Sequence, residues 1–143
     1  MAEHNIIGQK VEQIAVETMR KKGFRVVDTN WKFGHLEMDV IAVNRKEIAF
    51  VEVKTRTSSF GDKRPEEFVD ELKRRRMAAA ANAYIKIHQI ELVPRFDIIG
   101  ISMDPNTYEV KELTHLEDAF LPPQRTIGKR SFSGQDRWKH RGR

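Results

Sequence analysis

The chain has no cysteine among its 143 residues, so disulfides, thiolate metal sites and thiol nucleophiles are all excluded. Any metal must sit on oxygen or imidazole. The five histidines show no metal-ligand spacing and read as surface residues. Glycine is sparse, and Gly34 and Gly61 stand in loop positions without a phosphate-cradling pattern. No apolar run approaches the ~18 residues that cross a bilayer. The start Met1-Ala2-Glu3-His4-Asn5 carries neither a basic leader nor an apolar h-region. The expectation is a soluble, unexported, cytoplasmic protein with no membrane partner.

What is present is mostly polar. Hydrophobic residues make up 39% and charged residues 33%, enough apolar content for one modest core and too much for a wholly disordered chain. No internal repeat or second core is visible, so one domain is expected over 1–121. The net charge of +5 is unevenly placed. Residues 124–143 carry Arg125, Lys129, Arg130, Arg137, Lys139, Arg141 and Arg143 against Asp136, a balance of +6, so residues 1–123 sum to −1. The segment 122–143, opening on Pro122-Pro123, has no apolar period and reads as a flexible basic tail. It is suited to holding a phosphate backbone by counterion release, with Arg125, Lys129 and Arg130 as candidate contacts, or to serving as a solubilising end.

Apolar Val11, Ile14, Ala15 and Met19 recur at three- and four-residue steps before Gly23, which predicts an amphipathic helix over 8–22. The period then changes to short β-branched or alternating runs over 24–31, 36–43 and 47–56, three strands in antiparallel sequence. Pro65, followed by Glu66 and Glu67, is placed to open a second helix running to about His88. Strands are expected over 94–103 and 108–113. The order α-β-β-β-α-β-β gives an α/β fold with a mixed central sheet flanked by helices.

Charges stand in two strands where an ordinary core would not place them. Glu37 and Asp39 are two apart, as are Glu52 and Lys54, so each pair projects from one face of its strand. A two-residue turn at Arg45-Lys46 would set Asp39 opposite Glu52 and Glu37 opposite Lys54, whereas a three-residue loop would put Asp39 on the other face. Converging carboxylates suit a hard cation such as Mg²⁺, leaving coordination positions for water and phosphate. Lys54 could then orient the attacking water or stabilise charge growing on the phosphate, and phosphodiester hydrolysis is the natural reaction. The plain alternative is a half-exposed sheet with an ordinary Glu–Lys cross-strand pair. Helices on both sides of the three strands weigh against it, because charges beneath a helix are costly unless they bind something or each other. Lys73, opening the run Lys73-Arg74-Arg75-Arg76, is a candidate phosphate contact, since four consecutive residues point all round a helix and some must be solvated. Arg56 shares the parity of Lys54 and suits a phosphate or an acid. Arg95 and Asp97 share a face and can bridge each other. Tyr84 and the alanines 78–81 read as helix packing.

The strings Gly34-His35-Leu36-Glu37-Met38-Asp39-Val40-Ile41-Ala42, Phe50-Val51-Glu52-Val53-Lys54-Thr55-Arg56 and Arg95-Phe96-Asp97 resemble the YraN family of predicted bacterial endonucleases. That family is similar to archaeal Holliday junction resolvases within the PD-(D/E)xK nuclease superfamily. The resemblance extends from Gly8 to about Phe120, and the ending His115 to Phe120 looks like members from Bacteroidetes. It implies a restriction-endonuclease-like fold and a Mg²⁺- or Mn²⁺-dependent endonuclease acting on DNA, with branched DNA favoured. Asp39 matches the first metal-binding aspartate, Glu52 the second metal ligand and Lys54 the catalytic lysine. Glu12 matches a glutamate of the first helix that approaches the same metal, and Glu37 an auxiliary acid that supports metal binding or holds Lys54. Lys73 falls where the family commonly has a lysine facing the site. Val11 departs from the glycine that often precedes the helix glutamate. A junction offers two near-symmetric cuts, so a resolvase-like enzyme would act as a homodimer. The other reading is a non-catalytic DNA-binding or repair module that keeps the fold and binds through its tail.

Overall fold

The computed structural model describes residues 2–57, Glu67 and 69–121, with side chains from residue 6 onward. Within them the chain forms α1 (Ala2–Lys21), β1 (Arg25–Phe33), β2 (Leu36–Val43), β3 (Glu47–Arg56), α2 (Glu71–His88), β4 (Val93–Met103) and β5 (Val110–Leu116). This is the expected order. The strands make one five-stranded sheet in the order β1-β2-β3-β4-β5. All neighbours are antiparallel except β3 and β4, which run parallel because α2 lies in the crossover between them.

α1 starts six residues before the periodic signal at Gly8 and turns its Ala15–Met19 edge onto one face of the sheet, against Val40, Ala42, Ala49, Val51, Ile99 and Ile101. Its last turn closes on Gly23, whose φ of +90° a side chain would resist, with Phe24 N–H donating back to the Met19 carbonyl at 3.1 Å. α2 covers the other face. Lys73, Met77, Ala80, Ala81 and Tyr84 follow a helical stripe, and the last four pack on Ile41, Ile48, Phe50, Phe96 and Ile98. The alanine run allows that close approach, as expected.

The start of α2 corrects the sequence reading. Pro65 and Glu66 lie outside the described residues, and the helix opens at Glu71 with Asp70 as its N-cap. The Asp70 carboxylate accepts from the Lys73 N–H at 2.8 Å. A capping aspartate satisfies an orphan helix donor, which proline only avoids having. The hairpin register agrees with the two-residue turn: Val40↔Val51, Ile41↔Phe50, Ala42↔Ala49 and Val43↔Ile48 pair, and Asn44 Oδ1 accepts from Lys46 and Glu47 N–H. No helix among the described residues is long and apolar enough to cross a membrane. Residues 122–143, with the tail arginines and Lys129, lie outside the described residues.

Candidate metal-binding carboxylate site

The β2–β3 ladder ends at Val40↔Val51, although both strands continue. Beyond that point β2 parts from β3 and leaves a fork in the sheet. Asp39 fills it. Its Oδ2 accepts the Val53 backbone N–H at 2.8 Å, a donor that the ladder no longer serves. Glu52 stands beside Asp39, close enough for the aspartate's charge to raise the Glu52 pKa. Asp39 is therefore not paired opposite Glu52 in the ladder, as the two-residue turn suggested; the two acids come near each other only as side chains at the mouth of the fork.

The same place carries a slip in the alternation of the sheet. Met38 and Ile41 both face α2 although three residues apart, while Val40 and Ala42 face α1. A strict period of two would put Met38 with Val40. β1 slips with it. Asp28 and Trp31, also three apart, both reach Tyr84 of α2, by a 3.0 Å hydrogen bond and an edge-on ring contact of 5.1 Å. Between them stands Asn30, with φ of +50° in the middle of a strand. The pairs Thr29↔Val40 and Trp31↔Met38 set Asn30 across from Asp39. A left-handed residue thus sits opposite the aspartate that turns into the fork.

Glu52 is 6% exposed on the α2 face. Lys73 Nζ lies 3.4 Å from its Oε2, placed there by the Asp70 cap and by the Met77 stripe one turn further on. Burial, then the neighbouring Asp39 charge, pushes the Glu52 carboxyl up to about 7 despite Lys73 and Lys54. Burial likewise raises Asp39, against the opposing pull of the Val53 hydrogen bond and Lys73. Burial and like-charge repulsion thus both favour the protonated forms of these two acids.

Glu12 of α1 reaches the same neighbourhood. With Gly8, Gln9, Val11, Asn30, Asp39, Val40, Val53 and Thr55 it lines a cleft of about 430 Å³. Its Oε1 accepts from Asn30 Nδ2 at 2.6 Å. Among the described residues no three acidic or imidazole groups converge into a ready cage for a cation. A two-carboxylate site still fits Mg²⁺ or Mn²⁺, which keep several waters and take further oxygens from a phosphate. A cation bound there would offset the burial and repulsion that raise the pKa values of both acids.

The remaining candidates divide. Lys54 lies on the Glu52 face, close enough for its charge to lower the Glu52 pKa. Glu37 does not pair with Lys54 as the register suggested, because β2 has left β3 by then; it stands opposite Lys32 of β1 and raises Asp39 by repulsion. Arg56 lines a neighbouring cleft with Ile7, Thr57, Met103 and Tyr108. Arg74 lies over the Phe120 ring at 5.4 Å and Arg75 pairs with Glu71 at 2.9 Å, while Lys73 is the member of the run placed beside Glu52.

A second polar cluster corrects the histidine reading. Arg95 and Asp97 do bridge, at 2.9 Å, but His115 joins them, its Nε2 2.7 Å from Asp97 Oδ2 and its side chain only 6% exposed. The pairing Ile99↔His115 brings it there across β4 and β5. Burial works to raise Asp97, yet the bonds from His115, the Asp118 N–H and Arg95 outweigh it and hold the carboxyl below its usual range.

The architecture is thus that of an α/β nuclease-like fold, a mixed sheet between helices with paired acids at a strand fork. The chain belongs to UPF0102, described as an uncharacterised protein family, whose family model matches residues 11–101. The YraN resemblance is borne out. A UPF0102 protein of Bacteroides thetaiotaomicron is 39% identical over 123 residues, covering 86% of this chain and 98% of the relative. One from Porphyromonas gingivalis is 38% identical over 120 residues, 84% and 87% of the two chains. Another, from Parabacteroides distasonis, is 41% identical over 125 residues, 87% and 100%. The family match holds Glu12, Glu37, Asp39, Glu52, Lys54, Arg56 and Lys73 and stops before the basic tail.

Proposed function

We propose that this chain is a Mg²⁺- or Mn²⁺-dependent DNA endonuclease that hydrolyses phosphodiester bonds, with branched DNA as its favoured substrate. The observation that carries the reading is the meeting of Asp39 and Glu52 at the fork of β2 and β3, with Lys73 3.4 Å from Glu52. A sheet that needed only a solvated Glu–Lys pair has no reason to crowd two acids until one is protonated near pH 7. Such crowding persists where a site has a use for it. Asp39 and Glu52 would hold the cation, with Glu12 across the cleft in support. The cation, when bound, supplies a polarised phosphoryl oxygen and an acidified water. Lys54 offers a compact positive charge to the phosphate, and Lys73 keeps the Glu52 carboxylate turned to the fork. The branched substrate rests on the resemblance to junction resolvases, as does the homodimer; the tail residues Arg125, Lys129 and Arg130 are proposed backbone contacts.

The test is cleavage of a labelled four-way junction, beside linear duplex and single-stranded controls, in Mg²⁺ and Mn²⁺. Wild type should cut, and Glu52→Gln should lose on the order of 100-fold or more. No cutting, or cutting that survives the substitution, would favour the non-catalytic binding module.

A further inference from the structure

Asn30 is a residue that the charge and motif patterns pass over. Three features single it out: a left-handed backbone in mid-strand, a position across the ladder from Asp39, and a 2.6 Å bond from its amide to Glu12. A non-glycine residue at positive φ is uncommon, and asparagine is among the few that tolerate it. Such conformations persist where the surrounding structure over-determines them, and they cluster at functional sites.

Each feature has a separate consequence. β1 changes which side chains face α2 twice: at the ladder irregularity between Val26 and Asp28, and again between Asp28 and Trp31, where Asn30 stands and where β2 changes with it between Met38 and Ile41. Were the alternation unbroken, Asp39 would not leave the ladder to take the Val53 N–H and meet Glu52. The side chain acts on the other wall of the cleft. Its Nδ2 donates to Glu12 Oε1 and so fixes the orientation of that carboxylate, whose other lone pairs can still accept or bind a cation. One residue thereby fixes two acids that arrive from different elements, β2 and α1, on one cleft.

We infer that Asn30 is the positioning residue of this site, setting Asp39 through its left-handed backbone and Glu12 through its side-chain amide. The inference rests on the metal-binding reading of Asp39 and Glu52. Partners that hold a metal ligand in place typically change affinity by about 10–100-fold when removed.

Two substitutions separate the roles. Asn30→Gly keeps the left-handed conformation and deletes the amide; Asn30→Val disfavours the conformation as well. The readout is Mn²⁺ affinity measured by calorimetry on the full chain without DNA, with a thermal melt of each variant. Asn30→Gly should weaken Mn²⁺ by about 10-fold or more. Asn30→Val should weaken it further. Combining Asn30→Gly with Glu12→Gln should be no worse than Glu12→Gln alone, because both remove the same contact. Wild-type affinity in Asn30→Gly, or losses that simply add in the double variant, would overturn the side-chain role. Asn30→Val equal to Asn30→Gly in a folded protein would overturn the backbone role. Failure of the underlying metal reading looks different: wild type itself would bind no Mn²⁺, or Glu52→Gln would bind it unchanged, and the inference would fall with it.

Discussion

Replacing Glu52 by Gln should alter how stability depends on pH, and the direction follows from burial. In the folded, metal-free protein the Glu52 carboxyl keeps its proton until about 7, whereas the unfolded chain releases it near 4.5. Between these values the folded state binds more protons than the unfolded one, so stability falls as pH rises. The full effect is on the order of 3 kcal/mol across that window. Set against the 5–15 kcal/mol typical of a domain, this is a large fraction, and it corresponds to roughly 10 °C in the melting temperature. Gln cannot ionise. Urea or thermal unfolding from pH 5 to 8.5 in chelator should therefore show a falling curve for wild type and a flatter one for Glu52→Gln. At pH 8 the variant should be the more stable protein, even though it has lost the Lys73 ion pair. Mn²⁺ should restore wild type at pH 8 by binding the ionised acids, and should do little for the variant. Parallel pH curves for the two proteins would refute the reasoning, since they would mean that Glu52 is an ordinary ionised side chain.

Asp70→Ala should cost about 1 kcal/mol by urea denaturation through the lost N-cap, and should also weaken Mn²⁺ binding, because the cap fixes Lys73 beside Glu52. Asp97→Asn should cost about 3–5 kcal/mol at pH 7, leaving the Arg95 guanidinium, 11% exposed, with only the more exposed Glu47 and Glu117. Because Asp97 has a lowered pKa, the stability it contributes is present above the unfolded value of 3.8 and fades as pH falls below it, so the wild-type and variant curves should converge in acid. Lys54→Met should lower cleavage by about 10²–10³-fold while Mn²⁺ affinity, read by calorimetry, stays within a few-fold of wild type.

Much of the fold was legible because its signals are local. β2 and β3 match the runs 36–43 and 47–56 residue for residue, and the Asn44–Glu47 turn fixes the register that brings Asp39 towards Glu52. The α2 start was misread because proline announces a helix more loudly than the aspartate that caps it. The side chain of Asp70 reaches only three residues ahead, yet nothing in the sequence ranks it above Pro65. His115 was misread for a different reason. Its hydrogen-bond partner is Asp97, eighteen positions away, and a partner on a neighbouring strand leaves no mark on local periodicity.

The site shows the same division between local and non-local signals. Glu52, Lys54 and Asp39 could be found because alternating charge in a strand conflicts with an apolar sheet. Glu37 could not be placed correctly, because its expected partner Lys54 assumed that two strands paired at the turn stay paired to their ends. They separate after Val40, at the point where Asn30, the residue we infer to set Asp39, stands across β2. An asparagine within Val26-Val27-Asp28-Thr29-Asn30-Trp31 is a faint signal, since it weakens a strand only slightly and carries no charge. Its inferred effect is larger than its signal because neighbouring strands share a face, so a change of alternation in one strand is met by a change in the strand paired to it, as between Asp28–Trp31 and Met38–Ile41. The carboxylate pair is therefore written in β2 and β3, but its convergence depends on β1.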